Sequence, residues 1–140
     1  MQRVDGGDPR AVLPEAANAV LVSRDGRSVV ANEPGKPWRL YPLNGGTPAP
    51  LPGVTEWDRP IGWTEDRRAV IVAARGMPVR LDRVDMQTGA RSMLREIPMP
   101  SRTARTLSLR SVTADGDQFA YAAGLTSTTL HVVTGVRGVK

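Results

Sequence analysis

Short apolar runs alternate with polar turns along the whole chain. Typical runs are rich in Val, Ile, Leu and Ala, such as "AVLV" at 19–22, "SVVA" at 28–31 and "AVIVAA" at 69–74. Gly, Pro, Asn or Asp bounds each run, which is the pattern of β-strands separated by turns. Because some runs are continuously apolar, we expect both faces of these strands to be buried. With 12 prolines and 14 glycines interrupting longer stretches, the pattern predicts an all-β fold.

The pattern of runs and turns repeats three times. Each copy has a short run, an acidic turn, a small apolar run, a gap, another apolar run and a Gly turn, and the copies lie at 19–53, 60–98 and 107–137. One aspartate marks each acidic turn: Asp25, Asp66 and Asp115. These aspartates are spaced by about 40 to 50 residues, the length of one blade of a β-propeller.

The repeat predicts a single segment of β-propeller over 1–140, with about three blades of four antiparallel strands. A blade is a small antiparallel meander whose faces pack on the neighbouring blades. The boundaries that we predict are the end of a preceding blade at 1–14, full blades at 15–55 and 56–100, a last blade without its outer strand at 101–137, and a tail at 138–140.

The turn sequences are similar to those of one group of bacterial proteins. The stretches "VSRDGRSVVA", "WTEDRRAVIVAA" and "VTADGDQFAYAA" resemble the Ser-Pro-Asp-Gly-Arg signature of TolB-like, WD-repeat-like β-propellers. Segments 59–97 and 107–137 look like the C-terminal end of the propellers attached to bacterial serine/threonine protein kinases. The pattern departs at Arg67, which replaces the turn glycine, and at Glu65 and Ala114, which replace proline.

The resemblance implies an appended sensor or interaction domain without catalysis. The chain has no Gly-rich phosphate loop, no His-Arg-Asp and no Asp-Phe-Gly, which phosphoryl transfer by a kinase requires. The predicted function is therefore a non-catalytic module for protein–protein interaction or ligand sensing, as the C-terminal part of a larger signalling protein. The alternative is the accessory propeller domain of a hydrolase such as a serine peptidase.

Three blades are too few for a closed ring, which has four to eight. An open arc exposes apolar blade faces and an unpaired strand edge, which favours association. In one arrangement, which we favour, the remaining blades lie upstream in a longer protein. In the other, two copies join head to tail, and the outer strand near 9–14 of each completes the last blade of its partner to give a six-bladed ring.

Composition narrows the classes of partner. The net charge is +5, but basic and acidic residues are interleaved, and three Trp, two Tyr and one Phe offer little for base stacking, so no nucleic acid is expected. The absence of cysteine excludes disulfides and thiolate sites. No apolar stretch reaches the roughly 18 residues of a membrane span. We expect a soluble segment that does not insert into membranes, in the bacterial cytoplasm or outside it if an upstream span tethers it.

Candidate catalytic and metal-binding groups are few. His131 is the only histidine and aligns with Tyr41 and Asp82 of the other copies; without a Gly-x-Ser-x-Gly elbow it has no nucleophile partner. The turn aspartates accept local backbone N–H groups, whereas calcium needs six to eight oxygens. The pairs Glu56 with Asp58 and Glu65 with Asp66 are interpreted as solvated loop charge. No catalytic residue, cofactor or metal ligand is predicted.

Function on such a scaffold is expected in the loops, because the strands are committed to packing. The longest polar loops are 32–37, 54–60 and 98–106. Trp38, Trp57 and Trp63 are each expected to fill a blade interface or a rim, with Trp63 as the core aromatic of its blade's inner strand and Trp57 as the exposed one. Since Trp and Arg are typical anchors of protein interfaces, the predicted partner-binding residues are Trp57, Arg59, Arg102 and Arg105.

Overall fold

The computed structural model describes residues 11–102 and 104–125. This part of the chain contains ten β-strands and no helix, which confirms the all-β class. Consequently it has no helix long and apolar enough to cross a membrane. The strands are β1 (Asn18–Val22), β2 (Ser28–Asn32), β3 (Arg39–Pro42), β4 (Ala49–Pro50), β5 (Arg59–Trp63), β6 (Ala69–Ala74), β7 (Val79–Asp85), β8 (Arg91–Ile97), β9 (Ala104–Val112) and β10 (Phe119–Leu125).

The strands form three antiparallel sheets in chain order. The first sheet is β1-β2-β3-β4, the second is β5-β6-β7-β8, and the third is the pair β9-β10. The further strand predicted around His131 lies outside the described residues. Of the outer strand predicted near 9–14, residues 11–14 are described and form no strand; instead Leu13 packs against the buried Val29, Ala31 and Tyr41 of the first sheet.

Strand β6 is buried on both faces, as its apolar sequence predicts. Val70, Ile71 and Val72 are each 0% exposed. Val70 and Val72 belong to a core that includes Val30 of the first sheet. Ile71 belongs to a second core, which includes Leu107 and Leu109 of the third sheet. The second sheet is therefore packed between the other two, and alternate β6 side chains enter alternate cores.

The first strands of the three sheets lie side by side, with β5 next to both β1 and β9. The Trp63 Nε1 donates a hydrogen bond to the Val22 carbonyl at 3.0 Å. A Cβ at Gly62 would lie 2.6 Å from Val112 Cγ1. Only glycine permits this close approach of β5 and β9, since real Cβ atoms do not come so near.

Each first strand has an irregularity in its pairing at the same place in the repeat. The register to the next strand shifts between Ala19 and Leu21 in β1, and between Pro60 and Gly62 in β5. In the third sheet, Ala120 pairs with Ser111 and the next residue pairs with Leu109. In each case one residue is left over, five positions before the turn aspartate, as expected of a β-bulge.

The turn after each first strand is built in the same way. A hydroxyl two residues before the aspartate donates to its Oδ1, from Ser23 and Thr64 at 2.6 Å and likewise from Thr113. The backbone N–H two residues after the aspartate donates to the same Oδ1, at 3.1, 3.0 and 2.9 Å in chain order. Each turn aspartate is therefore engaged through Oδ1 by its own loop, as the sequence predicts, and the Oδ2 of Asp66 also accepts a hydrogen bond from the Arg83 Nη2 at 3.2 Å.

The departure at Arg67 changes neither the path nor the hydrogen bonds of its turn. Gly26 and Gly116 have φ of 67° and 81°, and Arg67 adopts the same left-handed conformation with φ 59°. This conformation costs a residue with a Cβ more than it costs glycine. The second turn is thus held in place by its surroundings at some cost in backbone strain.

Candidate interaction site

The antiparallel topology gives the sheets two ends with different contents. Because successive strands reverse direction, the start of β5, the end of β6 and the start of β7 lie together. Strand β9 starts at this end too, since Gly62 near the end of β5 meets Val112 at the end of β9. We call this the connection end; it contains residues 55–58 just before β5, the loop 75–78 and the segment 98–102. The opposite turn end has the aspartate turns at 23–27, 64–68 and 113–118.

A groove of about 240 Å³ opens at the connection end between the second and third sheets. Its floor is largely apolar and is formed by Ala73, Val79, Leu107 and Leu109. Its rim is formed by residues of two segments: Trp57 and Arg59 at the start of β5, and Arg75 and Met77 in the loop between β6 and β7. An apolar floor with a mixed aromatic and cationic rim is typical of a protein interaction site.

Trp57 is 60% exposed, which confirms the exposure predicted for it. Trp38 is only 4% exposed, and Trp63 packs partly buried between the first two sheets. The guanidinium carbon of Arg75 lies 5.2 Å from the centre of the Trp57 ring, a cation–π arrangement. The most exposed aromatic of the described residues is therefore held against a cation beside an apolar groove.

The residue after Trp57 anchors the segment from the other side. Asp58 is 5% exposed and accepts hydrogen bonds from the Thr55 N–H and hydroxyl at 2.8 and 2.9 Å. Arg91 donates to both carboxylate oxygens, at 2.8 and 3.0 Å. The Trp38 Nε1 donates to the Asp58 carbonyl at 2.8 Å. The interpretation of Asp58 as a solvated loop charge is therefore wrong, because the carboxylate is buried and paired with Arg91. Arg91 lies on a strand far away in sequence.

The same arginine joins a second buried carboxylate. Asp82 on β7 is 1% exposed and accepts hydrogen bonds from the Arg91 Nη2 at 2.6 Å and from the Arg80 Nη2 at 3.0 Å. Burial alone would raise the pKa of Asp58, but the hydrogen bonds from Arg91 and Thr55 outweigh it, so this pKa lies below its ordinary value. The Asp58 hydrogen bond also raises the pKa of Arg91, against the effect of burial. Charges neutralised in this way hold structure together and offer no free acid or base.

A close backbone contact reinforces this anchor. Gly53 has φ 69°, and a Cβ there would lie 2.2 Å from the Gly89 carbonyl oxygen in the β7–β8 turn. The Gly53 carbonyl accepts a hydrogen bond from the Arg91 Nη1 at 3.2 Å. The connecting segment between the first and second sheets thus lies directly on the backbone of the second sheet, and the position of Trp57 follows from this contact.

The predicted binding residues fall into two groups. Trp57 and Arg59 lie together on the groove rim, whereas Arg102 and Arg105 are exposed at the same end but do not line the groove. Arg75 and Met77 were missed by sequence reasoning. Their segment "RGMP" occupies the place in the repeat that "EPGKP" has in the first copy, so aligning the loops as well as the turns would have indicated it.

The aspartates of the turn end are engaged by their own loops. Hydrogen bonds from the Ser23 and Thr64 hydroxyls, followed by those from backbone N–H groups, lower the pKa of Asp25 and of Asp66, and Thr113 does the same for the pKa of Asp115. Among residues 11–102 and 104–125, no group of three or more His, Cys, Asp or Glu side chains is placed to hold a metal ion. His131 lies outside these residues.

No protein-family model matches the sequence, and the chain matches neither a curated protein nor a solved structure. The likeness to TolB-like and kinase-attached propellers therefore depends on the turn motifs quoted above. Membership of that group stays a prediction.

Proposed function

We propose that the chain is a segment of a β-propeller and that its sheets are successive blades. Three observations support this: the first two sheets are simple four-stranded meanders, their first strands lie side by side, and the bulge and the aspartate turn recur at the same place in every sheet. Neighbouring first strands around a common axis are the arrangement that a propeller requires. The motifs favour a TolB-like propeller attached to a larger signalling protein.

On this scaffold the function that we propose is non-catalytic binding of a protein or peptide partner at the groove. The observation that carries the proposal is Trp57, which is 60% exposed although its neighbour Asp58 is buried and hydrogen-bonded from two segments. An exposed aromatic on a fixed backbone loses little entropy when a partner covers it. The groove volume of about 240 Å³ is below the roughly 300 Å³ at which small-molecule pockets begin, so a side chain of a peptide fits better than a complete metabolite.

A display selection tests the proposal directly. A random peptide library is selected on the wild-type protein, and the peptides obtained are titrated against Trp57→Ala. We expect a loss of affinity of about thirtyfold, because a central tryptophan is worth about 2 kcal/mol or more in an interface. Tyr121→Ala is the matched control, since Tyr121 is a 46% exposed aromatic of the third sheet. Peptides that bind both variants as well as the wild type would refute the site.

The larger protein is a separate part of the proposal. A kinase domain and a membrane span encoded before residue 1 would support the signalling protein, whereas a hydrolase domain on either side would support the accessory domain of a peptidase. The head-to-tail ring of two copies is tested by light scattering. A folded species with the mass of one chain at micromolar concentration would exclude that ring.

A further inference from the structure

The groove rim has unpaired positive charge. Arg59 and Arg75 form no salt bridge within residues 11–102 and 104–125, like Arg24 and Arg27 at the turn end and unlike Arg80, Arg83, Arg91 and Arg95. Asp58 is bound by Arg91, so the exposed Glu56 is the one nearby acid in sequence that offsets the two arginines. With Arg102 and Arg105 also exposed at this end, the surface around the groove is complementary to carboxylates.

The geometry of Arg75 leaves its hydrogen-bonding groups available. Its guanidinium carbon lies 5.2 Å from the centre of the Trp57 ring. The ring therefore covers one side of the guanidinium only. A guanidinium has five N–H donors in a rigid fork that matches the two oxygens of a carboxylate. The contact with Trp57 restricts the rotamers of Arg75 and reduces the entropy lost when a carboxylate binds.

The apolar lining of the groove favours a partner that also carries an apolar group. Val79 and Leu109 are 7% and 3% exposed and are among the floor residues. Met77 is 53% exposed at the rim, and its unbranched thioether adapts to side chains of different shape. A purely ionic partner would leave the exposed apolar surface of Trp57 and Met77 in contact with water.

We propose that the groove binds a peptide segment in which an acidic residue lies next to a large apolar residue. The apolar side chain occupies the groove against Trp57 and Met77, and the carboxylate is held by Arg59 and Arg75. This inference depends on the proposed function, of which it specifies the partner. A nucleic acid is the rival anion, but the rim presents a single exposed tryptophan, whereas single strands bind along a series of stacking aromatics.

The test uses a peptide array and the intact chain. Hexapeptides combine Asp or Glu with Leu, Phe or Trp in all orders, and each has a counterpart in which Asn or Gln replaces the acid. The best acidic peptide is then titrated by fluorescence anisotropy. We expect its amide counterpart to bind at least about tenfold more weakly, since charge-assisted hydrogen bonds are lost. Binding should also weaken between 50 mM and 500 mM salt, because exposed ion pairs are screened.

Two double variants of equal charge locate the site. Arg59→Gln with Arg75→Gln should weaken the acidic peptide about tenfold, as its amide counterpart does. Arg24→Gln with Arg27→Gln removes two exposed arginines at the turn end and should leave the affinity within twofold. Equal losses in both double variants would mean attraction by net charge alone and would overturn the inference. Thermal unfolding of each variant establishes that the fold is retained.

The outcomes separate this inference from the proposed function. Selected peptides that require Trp57 but bind equally well as amides would overturn the acidic partner and leave peptide binding at the groove standing. If no peptide depends on Trp57, both proposals fail. A labelled ten-nucleotide oligo-dT that binds more tightly than every acidic peptide, and loses binding with Arg59→Gln and Arg75→Gln, would assign the groove to nucleic acid.

Discussion

The two ends of the sheets differ in what their characteristic polar side chains contact. At the turn end, the Oδ1 atoms of Asp25, Asp66 and Asp115 accept hydrogen bonds from the hydroxyl and backbone N–H groups of their own loops, and Asp66 also pairs with Arg83. At the connection end, Arg59 and Arg75 have no ionic partner in the described part of the chain, and Trp57 is exposed. The aspartate turns recur in all three sheets, whereas the pair of Trp57 and Arg75 is found at one place in the repeat. The turn aspartates therefore build the repeat, and the exposed Trp57 with Arg75 beside it is available for binding.

The largest effect that we expect comes from the buried anchor beneath Trp57. Arg91→Ala leaves Asp58 and Asp82 buried without their main counter-ion, at a cost of about 3 kcal/mol or more in the free energy of unfolding. Arg95→Ala is the control, because Arg95 pairs with an Asp117 side chain that is 73% exposed and should cost no more than about 1 kcal/mol. Urea denaturation measures both, and equal costs would contradict the anchor.

Substitution of two glycines distinguishes the stability cost of a steric clash from the cost of a positive φ. Gly53→Ala introduces a Cβ 2.2 Å from the Gly89 carbonyl oxygen and should cost about 3 kcal/mol of stability, since strain and overpacking add. Gly45 has a similar positive φ of 85° with nothing within 4 Å of the added Cβ, so Gly45→Ala should cost about 1 kcal/mol. Chemical denaturation measures the free energy of unfolding of both variants. We attribute the difference between the two costs to the contact with Gly89.

Acid should destabilise the fold through its structural carboxyls. The pKa values of Asp58 and of the turn aspartates are lower in the folded protein than the ordinary value of 3.8. A carboxyl with a depressed pKa stabilises the fold above its unfolded pKa, and this contribution is lost as the pH falls through the folded pKa. We therefore expect the free energy of unfolding to decrease below about pH 4. A free energy that stays constant from pH 7 to pH 2 in urea titrations would contradict these shifts.

The turn aspartates should matter for stability and not for binding. Asp25→Ala removes the acceptor of the Ser23 hydroxyl and the Arg27 N–H, so the melting temperature should fall, by a modest amount because water can replace an exposed acceptor. The affinity of groove-binding peptides should not change. Trp57→Ala should instead lower the affinity for these peptides and leave the melting temperature nearly unchanged. Lost peptide binding at an unchanged melting temperature in Asp25→Ala would contradict the division between the two ends.

The smallest effect is expected from the strained turn of the second sheet. Arg67 has φ 59°, where the other two turns have glycine. Arg67→Gly should stabilise the protein by up to about 1 kcal/mol, since relief of strain is partly offset by the greater flexibility of glycine in the unfolded chain. Differential scanning calorimetry can resolve this change. A lower melting temperature would mean that the Arg67 side chain makes a contribution larger than the strain.

Sequence reasoning predicted the features that depend on local patterns. The strand class, the aspartate turns and the two-sided burial of β6 follow from runs, turn residues and repetition, all of which are local properties. The exposure of Trp57 also follows, because its loop is polar on both sides.

The features that sequence reasoning missed depend on contacts between distant segments. Asp58 is bound by Arg91, and nothing in the segment "TEWDRP" indicates a partner on another strand. Likewise, Arg75 lies beside Trp57 because two loops meet at one end of the sheets. The repeat can locate these loops in the sequence, but tertiary packing decides which of their side chains meet.

The burial of β6 between two cores has a consequence for how substitutions combine. Ile71 and Val72 are neighbours in sequence, yet they pack in separate cores, so the effects of shortening both should be close to additive. Val72 and Val30 share one core although they come from different sheets, and their effects should be coupled. Energetic coupling between substitutions is therefore expected between residues of different sheets that share a core, and not between neighbours in β6 whose side chains lie in different cores.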